Sequence, residues 1–122
     1  AKKLLVASIL DPNPVIFIED RWCHVQKIDR TLIPSNSKLE IGKANYLKEG
    51  TTTAVLSNGP IGNVVILALA KMNNPETIAH FDFAFVKPLD ENALHTIFNE
   101  FEKIITKNDA VAISKVKTAI II

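Results

Sequence analysis

Thr53-Ala-Val-Leu-Ser-Asn-Gly-Pro-Ile-Gly-Asn63 decides the fold. Five residues of strand character run into Asn58-Gly-Pro60, a turn signal, and then into an apolar helical pattern that lasts through Met72. Ile61, Val64, Val65, Leu67, Leu69 and Met72 surround that helix almost completely, so it calls for cover on both sides. Downstream, Ile78-Ala-His-Phe-Asp-Phe-Ala-Phe-Val86 alternates with period two and puts Phe81, Phe83 and Phe85 on one face. Pro88-Leu-Asp90 ends that strand. Asp90 offers an N-cap to a helix whose Leu94, Ile97, Phe98 and Phe101 fall at i, i+3, i+4 and i+7. Lys103-Ile-Ile-Thr106 reads as a third strand. Strands alternating with helices through short turns specify an α/β fold, a three-layer, mainly parallel sheet with helices on both faces.

Upstream the pattern differs. Ala1-Lys-Lys-Leu-Leu-Val-Ala-Ser-Ile9 is helical in spacing, and Pro12 and Pro14 break it because neither ring nitrogen can donate. Val15-Ile-Phe-Ile18 reads as a short buried strand. Residues 19–40 show little periodicity, with Pro34-Ser-Asn-Ser37 as a loop signal. Ile41 to Gly50 reads as an edge strand and turn, with Gly50 supplying a positive φ. A helix that opens without a cap, and an apolar Thr118-Ala-Ile-Ile-Ile122 with no closing turn, point to a fragment of a longer polypeptide.

Composition excludes several function classes. At 122 residues, 48% hydrophobic and 22% charged, the chain is long enough for one core and too apolar for disorder. Fourteen Lys and Arg against thirteen Asp and Glu leave +1, too balanced to wrap nucleic acid. Membrane spans need about 18 consecutive apolar residues, and no run here approaches that. One Cys and three scattered His give no metal-ligand spacing. The chain reads as cytosolic.

Ligands of open parallel sheets sit outside the carboxyl ends of the strands, which directs attention to 58–63, 87–90 and 107–109. Gly59-Pro-Ile-Gly62 opens a helix and is either a tight strand-to-helix turn, the reading favoured, or an anion cradle of free N–H groups. It matches neither a dinucleotide fingerprint nor a P-loop. His80 reads as a hydrogen-bonded core residue, and His95 as a partly exposed helix residue. His24, after Glu19-Asp-Arg-Trp-Cys23, is the one histidine in a dense polar cluster. Cys23 and His24 are sequence neighbours whose side chains diverge, so they form no dyad. No carboxylate pair at a convincing spacing suggests acid–base work.

Glu40-Ile-Gly-Lys-Ala44, Lys48-Glu-Gly50 with Thr53-Ala-Val-Leu56, and His80-Phe-Asp-Phe-Ala-Phe-Val-Lys-Pro-Leu-Asp-Glu91 resemble the C-terminal domain of thiamine-diphosphate-dependent transketolase-type enzymes. Phe-Val-Lys-Pro-Leu-Asp-Glu91 and Gly-Pro-Ile-Gly-Asn63 are especially like 1-deoxy-D-xylulose-5-phosphate synthases. Leu5 to Trp22 is similar instead to the β subunits of 2-oxo-acid dehydrogenase decarboxylases, at the end of their pyrimidine-binding domain. The resemblance spans about residues 1–109. It implies three segments: 1–22 as the last helix and strand of a pyrimidine-binding domain, 23–50 as linker and edge strand, and 51–122 as a C-terminal domain truncated at its end.

The resemblance also implies a role. The chain would be part of a larger thiamine-diphosphate-dependent transferase or oxidoreductase, mainly structural and dimer-forming, inactive alone. Thiamine diphosphate and Mg would belong to the full-length parent, with no catalytic or cofactor-binding residue in this chain. The partner would be a second copy or another subunit of the same enzyme. Arg21 falls where the synthases carry an arginine that faces the substrate phosphate, and His24 lies beside it as a further substrate-binding candidate. Guanidinium suits that task through its planar fork; the alternative for Arg21 is a surface ion pair with Glu19 or Asp20. Two departures stand out. Ala84 occupies the place of a second substrate-facing arginine, which favours a 2-oxo-acid dehydrogenase-like or general transketolase-like parent over a working synthase. Asn108-Asp-Ala110 and Ser114-Lys-Val-Lys-Thr118 replace a glycine-rich tail. A non-catalytic assembly or regulatory domain is the competing function.

Overall fold

The computed structural model describes residues 2–25, 40–107 and 119–121. The chain groups into two compact units, Ala1–Ile41 and Gly42–Ile122.

In the first unit, α1 (Lys2–Leu10) forms as its spacing predicts. Its end is built by Asp11, whose Oδ1 accepts from the Asn13 N–H at 2.8 Å and from Asn13 Nδ2 at 2.9 Å. That Asx turn gives the backbone an alternative to continuing the helix. Val15–Ile18, read from sequence as a buried strand, is instead irregular, with Ile16 90% and Ile18 84% exposed. A four-residue strand needs a neighbour for its N–H and C=O groups. Among the described residues no strand pairs with it. A 3-10 turn, Arg21–Val25, follows.

The second unit is a five-stranded sheet in the order β1-β3-β2-β4-β5. Its strands are β1 (Asn45–Lys48), β2 (Thr53–Ser57), β3 (Ile78–Asp82), β4 (Lys103–Lys107) and β5 (Ala119–Ile121). Edge strand β1 runs antiparallel to β3, and every other pairing is parallel. Helix α2 (Ile61–Leu69) connects β2 to β3, and α3 (Glu91–Glu100) connects β3 to β4. The period of two in β2 divides the core. Ala54 and Leu56 join Phe83, Ile97 and Ile104 in the cluster under α3, while Val55 joins Val65 and Leu69 under α2. Helices therefore cover both faces of a mainly parallel sheet, as the alternation of elements implies.

Several boundaries differ from the sequence reading. Strand β3 stops at Asp82 rather than Val86: the Phe83 N–H makes the last rung to the Ser57 carbonyl at 2.8 Å, and neighbouring β2 ends at Ser57. Helix α2 ends at Leu69 and is buried on one side only: Val64, Ile66 and Leu67 are 49%, 47% and 62% exposed. Gly50 has no positive φ. It is required for another reason, since a Cβ there would lie 2.1 Å from the Ala79 backbone nitrogen. Strand β5 places part of the apolar 118–122 run beside β4. The expected loop at Pro34–Ser37, Asn108–Ala110 and Ser114–Thr118 lie outside the described residues.

Candidate functional site

Parallel pairing brings the carboxyl ends of β2 and β3 level, with Ser57 opposite Asp82. On the α2 side, Ser57 Oγ and His80 Nε2 are 2.8 Å apart, and the two residues are 3% and 0% exposed. Gly62, in the first turn of α2, sits directly over them; a Cβ there would come within 3.1 Å of Ser57 Oγ. Burial pushes the His80 imidazole below its ordinary pKa, so the ring is neutral near pH 7. His80 is thus the hydrogen-bonded core residue that the alternation implies.

Asp82 follows two residues on, on the same face. Its carboxylate accepts from the Gly59 N–H and, at 3.5 Å, from Asn45 Nδ2. Burial raises its pKa, against the lowering effect of those two donors. Gly59 takes φ +66 to present its N–H, and the Asn58 carboxamide donates to the Phe83 carbonyl. The turn into α2 is therefore a tight turn that holds the chain's own carboxylate. Ser57 has no open face for a substrate, so the Ser57–His80 pair joins sheet to helix and presents no nucleophile.

A second constellation joins the two stretches that carry the resemblance. Asp90 caps α3 through Oδ1, which accepts from the Ala93 N–H at 3.1 Å. Its Oδ2 accepts from the Ala44 N–H at 3.1 Å, and Lys43 Nζ stands 3.8 Å from Oδ1. These two N–H bonds, more than Lys43, hold the Asp90 carboxyl below the usual carboxylate range. Gly42, at φ +78, packs on the Pro88 ring. The Gly-Lys-Ala44 and Pro-Leu-Asp90 stretches therefore form one clasp across 46 residues.

The substrate-site candidates lie elsewhere. Arg21 and His24 share the exposed 3-10 turn of the first unit. His24 Nε2 is 3.3 Å from Glu19 Oε2, so one of the two carboxylates weighed for Arg21, Glu19, stands beside His24. Ala84 is half-buried just beyond β3, and His95 is exposed on α3. Sequence reasoning missed Ser57 and Asp82. Their signal was the run Ser57-Asn-Gly59 aligned with His80-Phe-Asp82, visible once the strands are paired in register. No group of three or more potential metal ligands occurs among the described residues.

Comparison with known proteins gives the lineage. No protein-family model matches the chain. The 1-deoxy-D-xylulose-5-phosphate synthase of Cytophaga hutchinsonii is 48% identical over 73 residues, 59% of this chain and 12% of that enzyme. Its counterpart in Phocaeicola vulgatus is 43% identical over 76 residues, 61% of this chain and 12% of that enzyme. The pyruvate dehydrogenase E1 component subunit beta of Acholeplasma laidlawii is 34% identical over 106 residues, 84% of this chain and 31% of that subunit. Among solved structures, a split-gene transketolase in an inactive β4 tetramer superposes with a TM-score of 0.52 at 25% identity, over 62% of this chain and 25% of that one. The chain thus spans 12% of the length of the synthases it matches. By sequence and by fold the chain is similar to a part of these transketolase-type, thiamine-diphosphate-dependent enzymes.

Proposed function

We infer that the chain acts as the C-terminal region of a larger thiamine-diphosphate-dependent enzyme, building structure and subunit contacts while other parts bind the cofactor. One observation carries this reading. In a domain akin to those enzymes, the polar groups at the strand ends are taken up internally, Ser57 by His80 and Asp82 by Gly59. Residues 1–22 are then the close of a pyrimidine-binding domain, 23–50 a connection with its edge strand, and 51–122 the C-terminal domain. Thiamine diphosphate and Mg sit on the rest of the enzyme. No helix among the described residues is long and apolar enough to cross a membrane, in keeping with a cytoplasmic enzyme.

The solvent-facing Val64, Ile66 and Leu67 of α2 supply the subunit contact, whether to a second copy or to another subunit of the enzyme. Arg21 and His24 face a substrate, with Arg21 gripping a phosphate by two parallel N–H bonds. The 48% identity to a synthase favours a synthase-like parent that has lost one arginine at Ala84. The longer match, 106 residues against a dehydrogenase β subunit, favours the second reading, a 2-oxo-acid-decarboxylating parent. Calorimetric titration of this chain with thiamine diphosphate and Mg tests the division of labour. No binding is expected, and tight binding would overturn it.

A further inference from the structure

Two buried polar atoms at the end of β3 have no hydrogen-bond partner among the described residues: His80 Nδ1 and Asp82 Oδ1. Both belong to side chains whose other polar atoms are committed. His80 Nε2 meets Ser57 Oγ, and Asp82 is reached by Asn45 and Gly59. Leaving a buried polar atom unpaired is costly, so two orphans two residues apart on one strand ask for a common explanation. Their placement supplies it. Residues two apart on one strand point to the same face, with Cα atoms about 6.5 Å apart. Two hydrogen bonds in series through one water, meeting near the tetrahedral angle, span about 4.6 Å between their end atoms, within reach of two side chains so placed.

We propose that one buried water bridges His80 Nδ1 and Asp82 Oδ1, completing a chain Ser57–His80–water–Asp82 beneath the N-terminus of α2. An external anion is a poor candidate for this position, since the Asp82 carboxylate already takes the Gly59 N–H. A water is neutral, both donates and accepts, and finds a third polar neighbour in the Asn45 carboxamide, which lies opposite Asp82.

The direction of the chain follows from Ser57. His80 Nε2 is the hydroxyl's partner, and the hydroxyl is buried, so its proton is used only if it donates to Nε2. Nε2 then accepts, and the ring proton sits on Nδ1. Nδ1–H donates to the water, and the water donates to Asp82 Oδ1. The bridge thus locks His80 in the Nδ1–H tautomer and ties the β2, β3 and α2 ends into one polar unit.

Nitrogen-15 NMR of the full chain reads this directly. His80 is expected to show a pyrrole-type Nδ1 and a pyridine-type Nε2, with a cross-peak from its Hδ1 to a long-lived water. Asp82→Leu, which removes the acceptor, should abolish that cross-peak while the ring stays buried. The reverse tautomer in the wild-type chain, or no long-lived water at Hδ1, overturns the proposal. So does a high-resolution crystal structure in which a protein group fills the position between the two atoms. The wild-type measurements decide the matter if Asp82→Leu fails to fold.

Discussion

Asp90 begins helix α3 and anchors the distant stretch before β1 with the same carboxylate. It satisfies the Ala93 N–H as a cap and the Ala44 N–H across the fold. Asp90→Ala loses the cap and leaves a half-buried donor unpaired, so a loss of about 2–4 kcal/mol is expected in urea unfolding. Because its folded pKa is lowered from 3.8, this stabilisation is present above that value and disappears as pH falls through the folded pKa. His80 works in a different window. Its folded pKa lies below 6.5, so the unfolded chain binds more protons there and stability falls as pH drops through 6.5. His80→Gln, whose Oε1 keeps an acceptor toward the Ser57 hydroxyl without a titrating ring, should flatten the wild-type decline in urea midpoint between about pH 8 and pH 5.5. Arg21 is a test of function. In the whole enzyme, Arg21→Ala should lower kcat/KM for a phosphorylated acceptor by about ten- to a hundred-and-fifty-fold if it grips phosphate, since charge-assisted bonds are worth about 1.5–3 kcal/mol. An exposed ion pair, worth about 0–1 kcal/mol, would leave the kinetics nearly unchanged.

At the scale of elements, α2 and the clasp before β1 carry the informative stresses. One side of α2 closes over β2 through Val65 and Leu69, while Val64, Ile66 and Leu67 face outward. Leu67→Lys should leave the circular dichroism spectrum and unfolding midpoint close to wild type. It should reduce self-association, measured by light scattering, because it puts a charge into an apolar patch. The clasp behaves differently. Gly42 adopts φ +78 and would bring a Cβ 2.8 Å from Pro88 Cγ. Gly42→Ala should therefore cost at least about 1–2 kcal/mol from backbone strain alone, and a thermal melt would register the loss. β1 itself is a short edge strand, pinned to the sheet by the Tyr46 ring stacked on Phe81 at 4.5 Å between centroids.

For the molecule as a whole, both core clusters and every sheet pairing fall within the second unit. Residues 42–122 are therefore expected to fold and unfold cooperatively by themselves; a broad, non-cooperative urea transition for that segment would count against this. Much of the architecture was legible in the chain. The period of two in Thr53–Ser57 and Ile78–Asp82, the helical spacing from Leu94 to Phe101 and the cap at Asp90 are local patterns, and local patterns name elements and the faces they bury. Val15–Ile18 was misread because an apolar run signals burial without saying what would cover it. Gly50 was misattributed because a glycine demanded by a neighbour's backbone looks, in sequence, like one demanded by its own φ. Sequence by itself determined the α/β class and the resemblance to transketolase-type enzymes. Only tertiary structure decided that Asp90 reaches Ala44, that Asp82 fills the turn before α2, and that Ser57 meets His80. Each of these contacts joins residues far apart in the chain, and only the assembled sheet with its flanking turns brings them within hydrogen-bond reach.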